Sequence, residues 1–401
     1  MTERIFPIFD DAMSQDFSRL TEILGGSPGY NQSDEPNMLL ASNDAEAIKT
    51  FLMDYKDSKQ TYRSYLKEIE RLVLWCMHVP KITISDLKRE HLLIYRDFIL
   101  EPEPKPLWCG PKKSKLTKSG EFNIEWRPFV GGLSKPTARK TISILDSFFN
   151  YLVQNNYLGG NPLAVDKRRK GKKSNSTDRW LERDEISVTL EALTELEHET
   201  ELKFEAARAK YIILTLFYTG LRLAELANHT MGDFQLLEGE WYLSVIGKGE
   251  KPRKIVVVDE YLDVLVQFRH MMQLPSKLPE YQEKTPLVPA LDRKSSITDN
   301  RISQILRWGF NFGADKYEHK VATSEEERMI FQHKASKLRK ASAHWLRHSY
   351  GTYLVKSGCP IERVKSLMGH SDISTTMIYV HIAKNDLHVS ARNLSLKEDE
   401  A

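Results

Sequence analysis

Residues 343–381 read AHWLRHSYGTYLVKSGCPIERVKSLMGHSDISTTMIYVH, and this stretch sets the reading of the whole chain. His344 and Arg347 stand three apart, so on a helix they share one face. The planar fork of Arg347 can hold two oxygens of a phosphate. Gly369 suits a helix end or tight turn, which brings His370 back toward the same cleft. Ser371 to Thr376 is short and polar, fitting a loop and then a helix start. Tyr379 follows among Met377, Ile378 and Val380, and tyrosine is one of the side chains that form covalent intermediates. Taken singly, a tyrosine among apolar neighbours is most often core, and a histidine on a helix is most often hydrogen-bonded or at the surface. The ordered set of residue types carries the weight.

The totals set bounds. A length of 401 residues suggests two domains. Apolar residues make up 41%, enough for ordinary cores. No run approaches the roughly eighteen apolar residues of a membrane span, so none is expected. The opening MTERIFPIFDDAMSQDF does not read as a signal peptide. Cys76, Cys109 and Cys359 are odd in number and scattered, which points to a reducing compartment and no metal cluster. A net charge of +3 barely hints at nucleic acid, and its distribution says more.

Residues 1–44 form an acidic N-terminal extension, with eight Asp/Glu against Arg4 and Arg19. Docking on a neighbour and plain disorder are equal alternatives for it. Residues 45–165 show helical periodicity, as in Tyr62, Leu66, Ile69, Leu72 and Val73, and again in Leu145, Phe148, Phe149 and Leu152. A lysine-rich, Pro/Gly-punctuated interruption spans 101–133; it is either solvated or reaches a nucleic-acid backbone. Lys135, Arg139 and Lys140 sit at the start of the last helix of this region, where cations and free N–H groups both suit phosphate. The basic linker 166–178 carries Lys167, Arg168, Arg169, Lys170, Lys172 and Lys173. Such a run is flexible, and if it crosses DNA it gains salt-sensitive affinity by counterion release. Residues 179–401 make the second domain. Helical patterns there surround a hairpin of Trp241–Ile246 and Arg253–Val258, and the charged stretch 316–340 has no readable role.

The words LRHSYGTYL, LMGHSDISTT and IYVH resemble the catalytic end of the tyrosine site-specific recombinases, the phage integrase family. YTGLRLAEL looks like that family's first catalytic-arginine motif and maps Arg222 onto the arginine and Glu225 onto its supporting acid. GKGEKPRKIVV resembles the hairpin whose lysine reaches the scissile nucleotide; Lys248 matches by its place between two glycines, with Lys251 the competing choice. The resemblance implies a mostly α fold with a small β-sheet. A helical, SAM-like core-binding domain and a mixed α/β catalytic domain would form a clamp round DNA.

It implies the catalytic set Arg222, Lys248, His344, Arg347, His370 and Tyr379. Tyr379 would attack a phosphodiester, leaving a 3′-phosphotyrosine and a free 5′-hydroxyl, with no cofactor, ATP or metal. The implied partners are double-stranded DNA, three further copies in a homo-tetramer that exchanges C-terminal tails, and accessory proteins. The implied place is the cytoplasm, with the nucleoid and away from membranes. Two rivals stand beside this reading: a DNA-relaxing topoisomerase of the same chemistry, and a non-catalytic DNA-binding protein on the same scaffold.

Overall fold

The computed structural model describes residues 4–27, 29–164, 179–198, 201–247, 252–370 and 372–384, with only the backbone over 381–384. The chain divides into two compact units, Met1–Lys173 and Ser174–Ala401.

The first unit is helical: α1 (Ser18–Leu24), α2 (Asp44–Met53), α3 (Lys59–His78), α4 (Arg89–Leu100), the single turn α5 (Lys105–Trp108) and α6 (Lys135–Gln154). Its helices start where the sequence supplies caps. The Asn43 side chain accepts the Glu46 N–H at 3.0 Å to open α2, and Ser134 caps α6. Both α3 and α6 bury one stripe, including Leu66, Leu72 and Trp75 on one and Leu145, Phe148 and Phe149 on the other. Phe51 of α2 meets Phe148 edge-on at 5.1 Å between ring centroids.

The acidic segment is no loose extension. Ile5, Ile8, Phe9, Phe17 and Leu20 belong to this same core. The buried Glu70 of α3 fastens them: one carboxylate oxygen accepts the N–H groups of Ile8 at 2.9 Å and Phe9 at 3.2 Å. Lys115, from the lysine-rich interruption, donates to the same carboxylate at 2.8 Å. That interruption is therefore partly tied down, and Lys113 is also paired, with Glu125 at 2.9 Å. Lys135, Arg139 and Lys140 stay exposed on the first turns of α6.

The second unit contains α7 (Arg183–Glu197), α8 (Lys203–Thr219), α9 (Leu223–Asn228), β1 (Phe234–Leu237), β2 (Glu240–Ile246), β3 (Pro252–Val256), α10 (Asp259–Met271), α11 (Asp299–Glu318), α12 (Glu325–Lys340), α13 (Ala343–Lys356), α14 (Ile361–Met368) and α15 (Ile373–Lys384). Helix α8 is the axis. It packs against α7, α10, α11 and α13, burying Ala206, Ala209, Tyr211, Ile212, Ile213 and Leu216. The antiparallel sheet runs β1-β2-β3. The expected hairpin is present, and β1 adds a third strand through the two-residue turn Glu238–Gly239. Phe234, Leu243 and Ile255 lie opposite one another across the three strands and form the buried line.

The stretch 316–340, unreadable as sequence, is mostly α12. Ser324 caps it, three acids fill its first turn, and Lys337, Arg339 and Lys340 fill its last, the arrangement a helix dipole favours. No helix among the described residues is long and apolar enough to cross a membrane.

Replacing Glu70 by alanine leaves two buried N–H groups and an ammonium without their acceptor. The expected result is a loss of about 3 kcal/mol in the stability of the first unit, read by urea unfolding, together with faster proteolytic release of the segment before α1.

Candidate active site

Two helices end on left-handed glycines that face the same space. Gly220 closes α8 and Gly369 closes α14, each at φ +60°. An L side chain is disfavoured there, and glycine is not. At Gly220 the missing side chain also makes room for the Tyr350 ring, which a Cβ would meet at 2.3 Å. Both turns leave carbonyls of the last helical turn without intrahelical partners.

Guanidinium groups fill that need. Arg347 on α13 is 3% exposed. Its Nη1 donates to the Gly220 carbonyl and its Nη2 to the Met368 carbonyl. Arg222 is the N-cap of α9 rather than its first helical residue, and its Nη2 donates to the Gly369 carbonyl at 2.9 Å. The partial negative charge of two helix C-termini thus supports both cations.

Glu225, one turn into α9 and buried, braces the pair. It accepts Arg222 Nη1 at 2.9 Å and the Arg222 N–H at 2.7 Å. It also takes a bidentate grip from Arg253 of β3, at 2.9 and 2.8 Å. Burial alone would raise this carboxyl. The hydrogen bonds from Arg253 and Arg222 overcome it and hold the group down at about 2.

The nucleophile candidate lies beside this cluster. Tyr379 of α15 is 1% exposed and packs with Val364 and Met368. Gly351 of α13 passes so close that a Cβ there would stand 2.7 Å from the Tyr379 ring. His370 stacks on Tyr379 with ring centroids 6.1 Å apart, and its Nδ1 pairs with Thr376 Oγ1 at 3.0 Å. His344, on the open side of α13, keeps much of its surface in solvent. Its ring lies 4.2 Å from that of His348, and His348 in turn lies 5.4 Å from the ring of Tyr379.

The charges leave a common mark. Burial pushes the Tyr379 phenol up to about 12, while Arg347 and Arg222 pull it down. Burial and the neighbouring Arg222 lower Arg347 to about 10. His370 is driven down to about 4, by burial first and then by Arg347, Arg222, His344 and Arg253. His344 is lowered too, by desolvation of its packed edge and then by Arg347, Arg179 and Arg222. His370 is therefore neutral at pH 7, and Arg347 keeps its charge. The cluster is a concentration of positive charge and proton carriers, suited to an anion.

Of the residues expected at the site, Arg222, Glu225, His344, Arg347, His370 and Tyr379 come together. Lys248 and its rival Lys251 lie outside the described residues, as do Lys167, Arg168, Arg169, Lys170, Lys172 and Lys173 of the linker. Lys135, Arg139 and Lys140 belong to the first unit. Two members of the cluster were missed in the sequence. His348 could have been found, being one turn from His344 on the same helix face. Arg253 left no local sign, because its partner Glu225 is distant in sequence.

The profile of the phage integrase family matches residues 179–386, just over half of the chain. The tyrosine recombinase XerC of Thermodesulfovibrio yellowstonii is 28% identical over 274 residues, covering 67% of this chain and 79% of that protein. The tyrosine recombinase XerD of Haemophilus ducreyi is 28% identical over 313 residues, covering 76% of this chain and 90% of that one. Among solved structures, the XerH site-specific recombinase bound to its palindromic difH substrate in a post-cleavage complex superposes with a TM-score of 0.53 at 18% identity, over 88% of this chain and 84% of that one. The Tn1549 transposon integrase in complex with transposon right-end DNA gives 0.53 at 15% identity, over 87% and 99%. The fold is thus shared with these structures.

The Glu225 knot makes stability depend on acid. The folded carboxyl sits near 2 against an ordinary 4.5, so it stabilises the fold above about pH 4.5 and loses that effect as pH falls toward 2. Against Glu225→Gln, the wild type gains on the order of 3 kcal/mol from this source at neutral pH. In unfolding measured at successive pH values, the gap between the two proteins narrows steadily toward pH 2.

Proposed function

The chain belongs to the phage integrase family, whose enzymes break and rejoin DNA strands, and from this premise we propose that it is a site-specific recombinase that cuts double-stranded DNA through a covalent 3′-phosphotyrosine intermediate. One observation carries the reading. Two guanidiniums and a phenol from distant parts of the sequence lie in one cluster, close enough that both cations act on the phenol's acidity.

A phosphodiester is an anion, and attack on its phosphorus adds charge to the non-bridging oxygens. Arg222 and Arg347 hold those oxygens from two sides, already oriented by helix-end carbonyls, with Arg347 buried away from water. The Tyr379 hydroxyl keeps its proton until the phosphate arrives. It surrenders that proton to His344 as its oxygen bonds to phosphorus. The bond from phosphorus to the 5′-oxygen breaks, and Lys248 returns a proton to that oxygen. His370 donates a hydrogen bond to the phosphate. A 5′-hydroxyl of the partner strand then attacks the phosphotyrosine, restores a phosphodiester and releases Tyr379. The phosphoester bond is conserved throughout, so the cycle calls for no ATP, and the cations that offset the developing charge are side chains.

In this reading Lys135, Arg139, Lys140 and the basic residues of 166–178 meet DNA phosphates, which position the duplex without reading its sequence. Four copies pair two DNA sites, and the segment after α15 passes to a neighbouring copy.

A DNA substrate nicked next to the cleavage site loses a short fragment after attack and traps the covalent complex. Wild-type protein is expected to form a DNA adduct stable to denaturant, and Tyr379→Phe to bind the same DNA without forming it. An adduct that persists in Tyr379→Phe puts the nucleophile elsewhere, with Tyr350 and Tyr353 next in line.

A further inference from the structure

Helix α13 buries two polar side-chain atoms that have no hydrogen-bond partner among the described residues: Nδ1 of His348 and Oγ1 of Thr352, one turn apart. A buried donor or acceptor left alone is a standing cost to the fold. Here the cost falls beside the candidate nucleophile. The His348 ring meets the Tyr379 ring edge-on at 5.4 Å and the His344 ring edge-on at 4.2 Å, so it sits between phenol and proton acceptor. The approach is made possible by Gly351, whose bare Cα lets the Tyr379 ring lie directly on α13.

The charges around His348 decide its protonation. His344 and Arg347 face it from its own helix, His370 from the turn after α14, and Arg179 from the segment that leads into α7. That segment is pinned to α13, since the Leu181 N–H donates to Ser349 Oγ at 2.8 Å and Ser349 Oγ donates to the Leu181 carbonyl at 2.9 Å. Burial first, and these neighbours second, hold the imidazole down at about 3. His348 is therefore neutral, and a neutral imidazole always keeps one nitrogen as an acceptor.

We propose that His348 is a positioning residue for strand cutting: its ring braces Tyr379 and His344 in their relative places, and its unpaired Nδ1 accepts a hydrogen bond from the Tyr379 hydroxyl before attack, a bond released when the proton passes to His344. This rests on the recombinase reading and assigns a role that the six expected catalytic residues do not fill. A hydroxyl held by its proton points its lone pairs forward, and errors of even about 1 Å in such placement reduce rates by about a hundredfold.

Two variants separate ring from nitrogen. His348→Phe keeps a flat ring against Tyr379 and deletes Nδ1. His348→Asn deletes the ring and sets an amide oxygen near the place of Nδ1. Both are compared with wild type on the nicked substrate, at DNA concentrations that saturate binding, with affinity and melting temperature measured alongside. His348→Phe is expected to bind DNA like wild type and to form the adduct about a hundredfold more slowly. His348→Asn is expected to recover part of that loss. Equal adduct rates in His348→Phe and wild type overturn the inference. Loss of DNA binding and of melting temperature in both variants overturns it too, since His348 is then a packing residue. A wild-type chain that forms no adduct overturns the recombinase reading itself, and this inference with it.

Discussion

The buried guanidinium of Arg347 ties together the ends of two helices. Its two amino groups reach the Gly220 carbonyl at the end of α8 and the Met368 carbonyl at the end of α14. A cation taken out of water is costly unless its hydrogen bonds are met, and helix C-termini supply both acceptors and favourable charge. The other parts follow from this one. Because α14 must end where Arg347 can reach it, the turn at Gly369 is fixed, and its carbonyl falls to Arg222. Because that turn is fixed, His370 and α15 follow at set positions, and Tyr379 is delivered onto the bare surface of Gly351.

The arrangement leaves positive charge in excess. Arg222, Arg253 and Arg347 gather round a single buried carboxylate, Glu225, which is committed to the first two. No carboxylate pairs with Arg347 among the described residues. Burial first, and this surplus second, lower His344, His348 and His370, while the surplus opposes the rise that burial imposes on Tyr379. In the proposed function, a DNA phosphate brought to this cluster supplies a balancing anion. It removes the repulsion among the cations and gives the imidazoles a reason to take protons. Substrate binding and activation of the proton carriers are then one electrostatic event.

Much of this was legible in the sequence, for definite reasons. His344, Arg347, His370 and Tyr379 lie within forty residues, at separations set by one helix turn and one glycine turn, so local rules could gather them. Arg222 and Glu225 also stand one turn apart, though no local rule placed them beside Tyr379; a family resemblance did. Arg253 was invisible because its bidentate pairing depends on how β3 lies against α9. His348 was visible but unremarked, since a second histidine on a helix reads as an ordinary surface residue until its ring is found between two others. Helix α12 was hidden by its composition: only Ala335 and Leu338 are buried on it, too few to print a periodic stripe. The acidic segment was left open between docking on a neighbour and disorder, because charge dominates its composition, while its Ile5, Ile8 and Phe9 are core.

The most direct measurement is the identity of the atom that becomes joined to DNA. Wild-type protein trapped on a nicked substrate can be digested with protease and nuclease, and the nucleotide-bearing peptide sequenced by mass spectrometry. The account predicts a 3′-phosphate link on the peptide that contains Tyr379. A link carried by Tyr350, Tyr353 or any serine would contradict it, because the guanidinium cluster would then be serving a different nucleophile.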